Sequence, residues 1–233
     1  GHQQDYHILP TRRSSDLKLA PTNLDIRNTA GSAIDQVLIG NVYEGLVARD
    51  EHNQVVPAIA KTWDVSDDGT TYTFHLNDGM TFSNGDKLDA DDVAWSINEL
   101  VTKQYHDADS LVNFVSVKAS DPNTVELKLS APYANLLWVL TGRPGLVFDK
   151  DAKYDAKTQA IGSGPYTVEK FVINSSITLK ANPNYWGANK AKTDTVVVRY
   201  FTDDNAAVNA LKSGDVQVRS EEHTSELQSQ RDI

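Results

Sequence analysis

The sequence predicts a mixed α/β protein in which sheets are flanked by helices. Residues 57–101 read as strand, turn, strand, turn and capped helix, with every local signal in agreement. A second run of strand-like segments followed by a short helix closes the chain near residue 213. With 233 residues and 39% hydrophobic side chains, the chain is long enough to bury one large core or two small ones.

The elements follow in order. Lys18 to Ala20 and Leu24 to Ile26 suggest a first strand, with a loop running to Gly31. Ile34, Val37, Leu38, Val42 and Leu46 have near-helical spacing, interrupted by Gly40. Trp63 and Val65 lead through the Ser66-Asp67-Asp68-Gly69 turn into Thr71–Leu76, which alternates at the two-residue strand period. Asn77-Asp78-Gly79 and Ser83-Asn84-Gly85-Asp86 are turn clusters, because these residues tolerate left-handed backbone. Asp89 is placed to cap a helix, with Asp91 and Asp92 in its positive first turn. Val93, Ile97, Leu100 and Val101 give that helix one apolar face.

After an Asp121-Pro122-Asn123 turn, Val125, Leu127 and Leu129 mark a strand. Residues 132–140 predict a helix with Leu136, Leu137, Val139 and Leu140 apolar. Residues 161–166 form a Gly-rich crossing, followed by a hairpin through 168–171 and 177–179. Val196-Val197-Val198-Arg199-Tyr200 is almost wholly apolar, as expected of a strand buried on both faces. Asp203 and Asp204 open a helix over 205–213, and Gly214 stops it.

A formal charge of −10 and a pI near 5.0 speak against a nucleic-acid partner, whose phosphates need a basic face. Without Cys there is neither disulfide nor thiolate metal site. No apolar run approaches the length that crosses a bilayer. Gly162-Ser163-Gly164-Pro165 is no phosphate loop, since no Lys-Ser/Thr pair follows. His52, His75 and His106 lack metal-ligand spacing, and His75 alternates toward solvent within a strand. Asp91-Asp92 and Asp203-Asp204 each open a helix, where dipole stabilisation explains them better than paired carboxylate catalysis. Trp63, Trp95, Trp138 and Trp186 stand in apolar or turn contexts that suit packing better than ligand stacking. Neither a nucleophile elbow nor a Cys-His pair is present, so no enzyme, cofactor or metal is expected.

The ordered motifs carry a resemblance. Pro57 to Trp63, Ser66 to Gly69, Tyr72 to Gly79, Phe82 to Gly85 and Leu88 to Val93 are similar to a block of the family 5 extracytoplasmic solute-binding proteins. These are the peptide-, dipeptide- and nickel-binding subunits of ABC importers, in which that block opens with a proline-led helix ending in tryptophan. Asn41 to Val47, Gly162 to Tyr166, Asn182 to Gly187, and Asp203 to Asn205 with Ala210 to Val216 resemble further family motifs in family order. The resemblance covers most of residues 17–218.

It implies a type II periplasmic-binding-protein-like fold, incomplete here. Residues 18–41 and 162–218 would be parts of domain I and residues 42–161 domain II, with domain III, the C-terminal lobe, missing. It implies a monomer that captures a peptide or other small polar solute and passes it to the permease and ATPase of an importer. The location would be periplasmic, or extracellular and membrane-anchored, with membrane contact only through the permease or a lost lipid anchor. Nickel chelates or other solutes are alternatives within the class. A sensor or regulator with a borrowed solute-binding domain is the alternative outside it.

The two ends read differently. Residues 219–229 are the in-frame translation of a common short-read sequencing adapter, with a sample index and constant sequence in 230–233. Thr11 to Leu17 translate the opposite adapter. Residues 1–17 and 219–233 are therefore expected to be adapter-derived tails of an insert from a longer gene, so the missing signal sequence carries no biological meaning.

For ligand contact the first candidate is Arg143, in the tight loop Thr141-Gly142-Arg143-Pro144-Gly145. A guanidinium there can hold a carboxylate with two parallel hydrogen bonds, and some relatives place an Arg of this loop in the cavity. A purely structural loop Arg accounts for the position equally well. Gly31 and Ser32 precede a helix, so their N–H groups can face a polar ligand, as the resemblance implies. A plain N-cap by Ser32 is the commoner explanation. Ser110, near Tyr105, lies in a stretch that faces the ligand in some relatives.

Overall fold

The computed structural model describes residues 20–218. Both expected tails, and Lys18 with Leu19 of the expected first strand, lie outside the described residues. Leu24 and Ile26 are buried, but in a turn rather than a strand. The Asn23 side chain accepts from the backbone N–H of Asp25 at 2.9 Å and from the Thr29 hydroxyl at 2.6 Å. Such local bonds compete with a strand ladder. Helix α1 spans Ser32–Leu38 and buries Ala33, Ile34, Val37 and Leu38. Its cap position is Gly31, at φ 128°, and not Ser32, which is the first helical residue. The helix stops before Gly40, whose φ of 75° turns the chain, so Val42 and Leu46 pack from outside it.

A short hairpin pairs β1 (Val47–Arg49) with β2 (Val55–Pro57). The first strand expected of the 57–101 block is present, and the proline-led helix of the family motif is not formed here. Pro57 ends β2, and Ala60–Val65 forms β3, paired antiparallel with β4, Thr71–Leu76. Pairing with the strand beyond the Ser66–Gly69 turn holds β3 extended, and Pro57 sits where its own ladder ends. Helix α2 (Ala90–Lys103) packs across β5 (Phe114–Asp121) and β6 (Thr124–Leu129), completing an antiparallel sheet of order β3-β4-β6-β5. Strand β5 was not singled out in the sequence, since Ser116, Lys118 and Ser120 dilute its apolar signal.

The cap of α2 is reciprocal: Asp89 accepts from the Asp91 N–H at 3.1 Å, and Asp92 accepts from the Asp89 N–H at 3.0 Å. Asp92 is buried and also accepts from Lys150 Nζ at 3.3 Å, so it anchors the helix as well as complementing its dipole. Asp89→Ala should lower stability by about 1 kcal/mol while Asp89→Asn stays near wild type, as read from denaturant midpoints.

The helix expected over 132–140 shrinks to one turn, α3, Leu136–Val139. Pro132 packs against the Gly69 turn and the Tyr133 carbonyl accepts from the Tyr72 hydroxyl at 3.4 Å, which holds the preceding residues extended. After the crossing at 161–166, β7 (Tyr166–Val172), β8 (Ser176–Ala181) and β9 (Thr195–Arg199) form a second antiparallel sheet in that order. Strand β9 is an edge and not doubly buried: Val196 and Val198 face the core while Val197 is 53% exposed. Helix α4, Asp204–Ser213, is capped by Asp203 and ended by left-handed Gly214.

The apolar side chains gather into two cores. One joins the four-stranded sheet to α2 and includes Phe74, Leu76, Val93, Ile97 and Leu127. The other joins α1 to the three-stranded sheet and includes Leu24, Ile34, Tyr43, Ile177 and Leu179. The chain passes between them near residues 43–46, 146–148 and 161–166.

Candidate functional site

Arg143 opens a 3-10 turn, Arg143–Gly145, directly after α3. The turn is tight because Gly145 lies against the backbone of Leu140, where a Cβ would sit 1.9 Å from the carbonyl oxygen. Arg143 is buried, and its fork is engaged by the protein itself. Nε donates to Asp35 Oδ1 at 2.8 Å, one terminal nitrogen donates to the carbonyls of Ile26 (2.8 Å) and Thr29 (2.9 Å), and the other reaches the Gly31 carbonyl at 3.4 Å. The side chain thus shapes the loop over 26–31 from behind. Burial raises the Asp35 carboxyl above its usual range, and the Arg143 guanidinium opposes that rise.

Gly31 and Ser32 are exposed on the outer side of this loop. Ser110 ends the 3-10 turn Ala108–Ser110 and donates its hydroxyl to the Asp107 carbonyl at 2.5 Å. Asp107 Oδ2 in turn lies 3.9 Å from Arg143 Nε. The fold therefore brings Gly31, Ser32 and Arg143 together, with Ser110 at the edge of the same patch. Beneath it Arg27 lies over the rings of Tyr105 and Phe148, at 5.4 and 5.0 Å. The hollow among Ile26, Ser96, Leu100 and these aromatics has about 10 Å³ of space, roughly one water molecule, so it is a packed seam and no solute pocket by itself.

Two residues of this patch escaped sequence reasoning. Asp35 is the lone acid among the apolar residues of α1, a visible anomaly whose partner lies 108 residues away. Arg27 carried no local signal. His75 pairs with Asp64 at 3.0 Å and His52 with Glu51 at 3.5 Å, both on the surface. Among the described residues no three His, Cys, Asp or Glu cluster as metal ligands, and no helix is long and apolar enough to cross a membrane.

Comparison with known proteins decides the family. The model of "Bacterial extracellular solute-binding proteins, family 5 Middle" matches residues 54–232. The chain belongs to this family. Protein XP55 of Streptomyces lividans is 35% identical to the family 5 chain over 181 residues, covering 75% of the chain and 33% of XP55. Di/tripeptide-binding protein 4 of Pseudomonas aeruginosa is 27% identical over 230 residues, covering 85% and 43%. The crystal structure of NikZ from Campylobacter jejuni in complex with Ni(L-His) superposes with a TM-score of 0.74 at 25% identity, covering 83% of the chain and 40% of NikZ. The fold is thus that of type II periplasmic binding proteins, in part, and the chain spans less than half the length of each of these relatives.

Proposed function

We propose that the whole protein captures a peptide or a similar small polar solute outside the cytoplasmic membrane. It acts as a monomer and delivers the solute to the permease and ATPase of an ABC importer. The match of residues 54–232 to the family 5 model carries this reading, and the similarity to a di/tripeptide-binding protein supports a peptide as the solute. The solute-facing surface in this proposal is the rim of Gly31, Ser32 and Ser110, with Arg143 behind it. The exposed residues Gly31 and Ser32 at that rim suit a peptide, which is held largely through its main chain. Arg143 contributes by fixing the loop from behind. Residues 42–161 form one domain and residues 18–41 with 162–218 part of another; the buried residues of the two apolar cores follow this division except that Val42, Tyr43, Leu146 and Phe148 pack into the second core.

Titration calorimetry on the product of the complete gene tests the reading. Di- and tripeptides should bind, and Ser110→Trp should weaken them at least tenfold with an unchanged unfolding midpoint. Undiminished affinity would remove Ser110 from the site. Binding of a nickel–histidine complex but no peptide would replace the solute class with the one seen in NikZ.

A further inference from the structure

Three stretches that mark the family in sequence meet at one side chain. Glu44 lies where the chain passes between the two cores. Tyr185 donates its hydroxyl to Oε1 at 2.8 Å, while the Ser163 hydroxyl and the Trp186 indole N–H both donate to Oε2 at 3.1 Å. Ser163 belongs to the Gly-rich crossing at 161–166, and Tyr185 and Trp186 follow β8. The backbone is joined at the same place: Gly164 N–H donates to the Val42 carbonyl and Tyr166 N–H to that of Asn41, each at 2.9 Å, and Val147 N–H donates to the Glu44 carbonyl at 3.1 Å.

All three side-chain partners are neutral. The elements around Glu44 carry Tyr43, Asp86, Arg143, Asp149, Tyr166 and Tyr185 as titratable or charged groups. Tyr43 faces Tyr154, Asp86 and Asp149 both bond Asn84, and Arg143 is held by Asp35; Tyr185 is the one hydrogen-bonded to Glu44. Burial pushes the Glu44 carboxyl up to about 7, against the opposing pull of the three hydrogen bonds. Part of the residue stays accessible to solvent, which leaves a route for proton exchange. An indole N–H can only donate, so Oε2 must remain an acceptor. The added proton therefore sits on Oε1, where the Tyr185 hydroxyl turns to accept it.

We propose that Glu44 is a proton-binding brace of the joint between the two cores. As the neutral acid it holds the crossings at 43–46 and 161–166 and the 182–187 turn in one uncharged network, and release of its proton to solvent loosens that network.

The sign follows from linkage. The folded carboxyl keeps its proton to higher pH than the unfolded chain does, so its contribution is full below about pH 4.5 and declines as pH rises to about 7. Glu44→Gln mimics the neutral acid: its oxygen accepts from Ser163 and Trp186 and its NH2 donates to Tyr185. Denaturant unfolding of the 233-residue chain across this window should show the wild-type unfolding constant rising relative to E44Q by roughly 10²- to 10³-fold. A protonated-carboxyl infrared band, absent in E44Q, should persist in wild type to near neutral pH, and to higher pH in Tyr185→Phe. Parallel wild-type and E44Q profiles, loss of that band by about pH 5, or an E44Q chain that fails to fold at low pH would each overturn the brace.

Discussion

Gly162→Ala should cost at least about 3 kcal/mol, enough to unfold a large share of the molecules in a protein of ordinary stability. A Cβ at this position would sit 2.0 Å from the Val42 carbonyl oxygen, 2.7 Å from its carbon and 2.9 Å from a ring carbon of Tyr43. Two of those atoms are backbone, which cannot swing aside as the end of a flexible side chain can. The two crossing segments would have to part, taking Ser163 from Glu44 and Tyr166 from Asn41. Gly79→Ala is the contrasting control. Gly79, unlike Gly162, has φ in the left-handed region, at 69°, but nothing lies within 4 Å of the added carbon, so only about 1 kcal/mol of backbone strain is expected. Denaturant midpoints of the two variants read the difference. Equal losses would show that the close approach at 162 costs no more than ordinary left-handed strain.

Arg143→Ala should be comparably damaging, by about 3–5 kcal/mol, because it strands partners that fold around it. Asp35 loses its cation, and the carbonyls of Ile26, Thr29 and Gly31 lose their donors together. Arg143→Lys restores the charge but not the fork, since an ammonium cannot span a carboxylate and three carbonyls at once, and should recover only part of the loss. The pH dependence supplies a second readout. Asp35 is already raised by burial, and Arg143 holds it down. Without the guanidinium the folded carboxyl binds its proton more tightly, so R143A should lose stability more steeply than wild type as pH rises past the usual carboxylate range. Amide exchange over residues 26–31 should accelerate in the same variant. If exchange there is unchanged, the loop does not depend on Arg143 for its shape.

These two sites show why neighbouring parts of one chain differ in legibility. Helix α2 was readable because its signals are local: Asp89 and Asp92 cap each other three residues apart, and Val93, Ile97 and Leu100 repeat at the helical period. The same holds for β4, for the β7-β8 hairpin and for α4 between Asp203 and Gly214. The order of the family motifs added the fold class and the family itself, neither of which periodicity alone supplies.

Other readings needed the partners. An apolar run such as Val196 to Val198 records propensity but not how many neighbours a strand has, and β9 proved to be an edge. Over 57–63 the family motif has a helix, whereas the residues themselves read as strand, and pairing with β4 sides with the residues. Arg143 looked free for a ligand because the groups that occupy it lie more than 100 positions earlier in the chain. Glu44 stood out only as one residue of the 41–47 motif, with no role legible, since its three donors are 119 to 142 positions away. Bonds between neighbouring positions leave a pattern that can be read along the chain. Whether a charged side chain faces solvent, a solute or three buried donors depends on packing between distant segments, and that exists only once the chain has closed on itself.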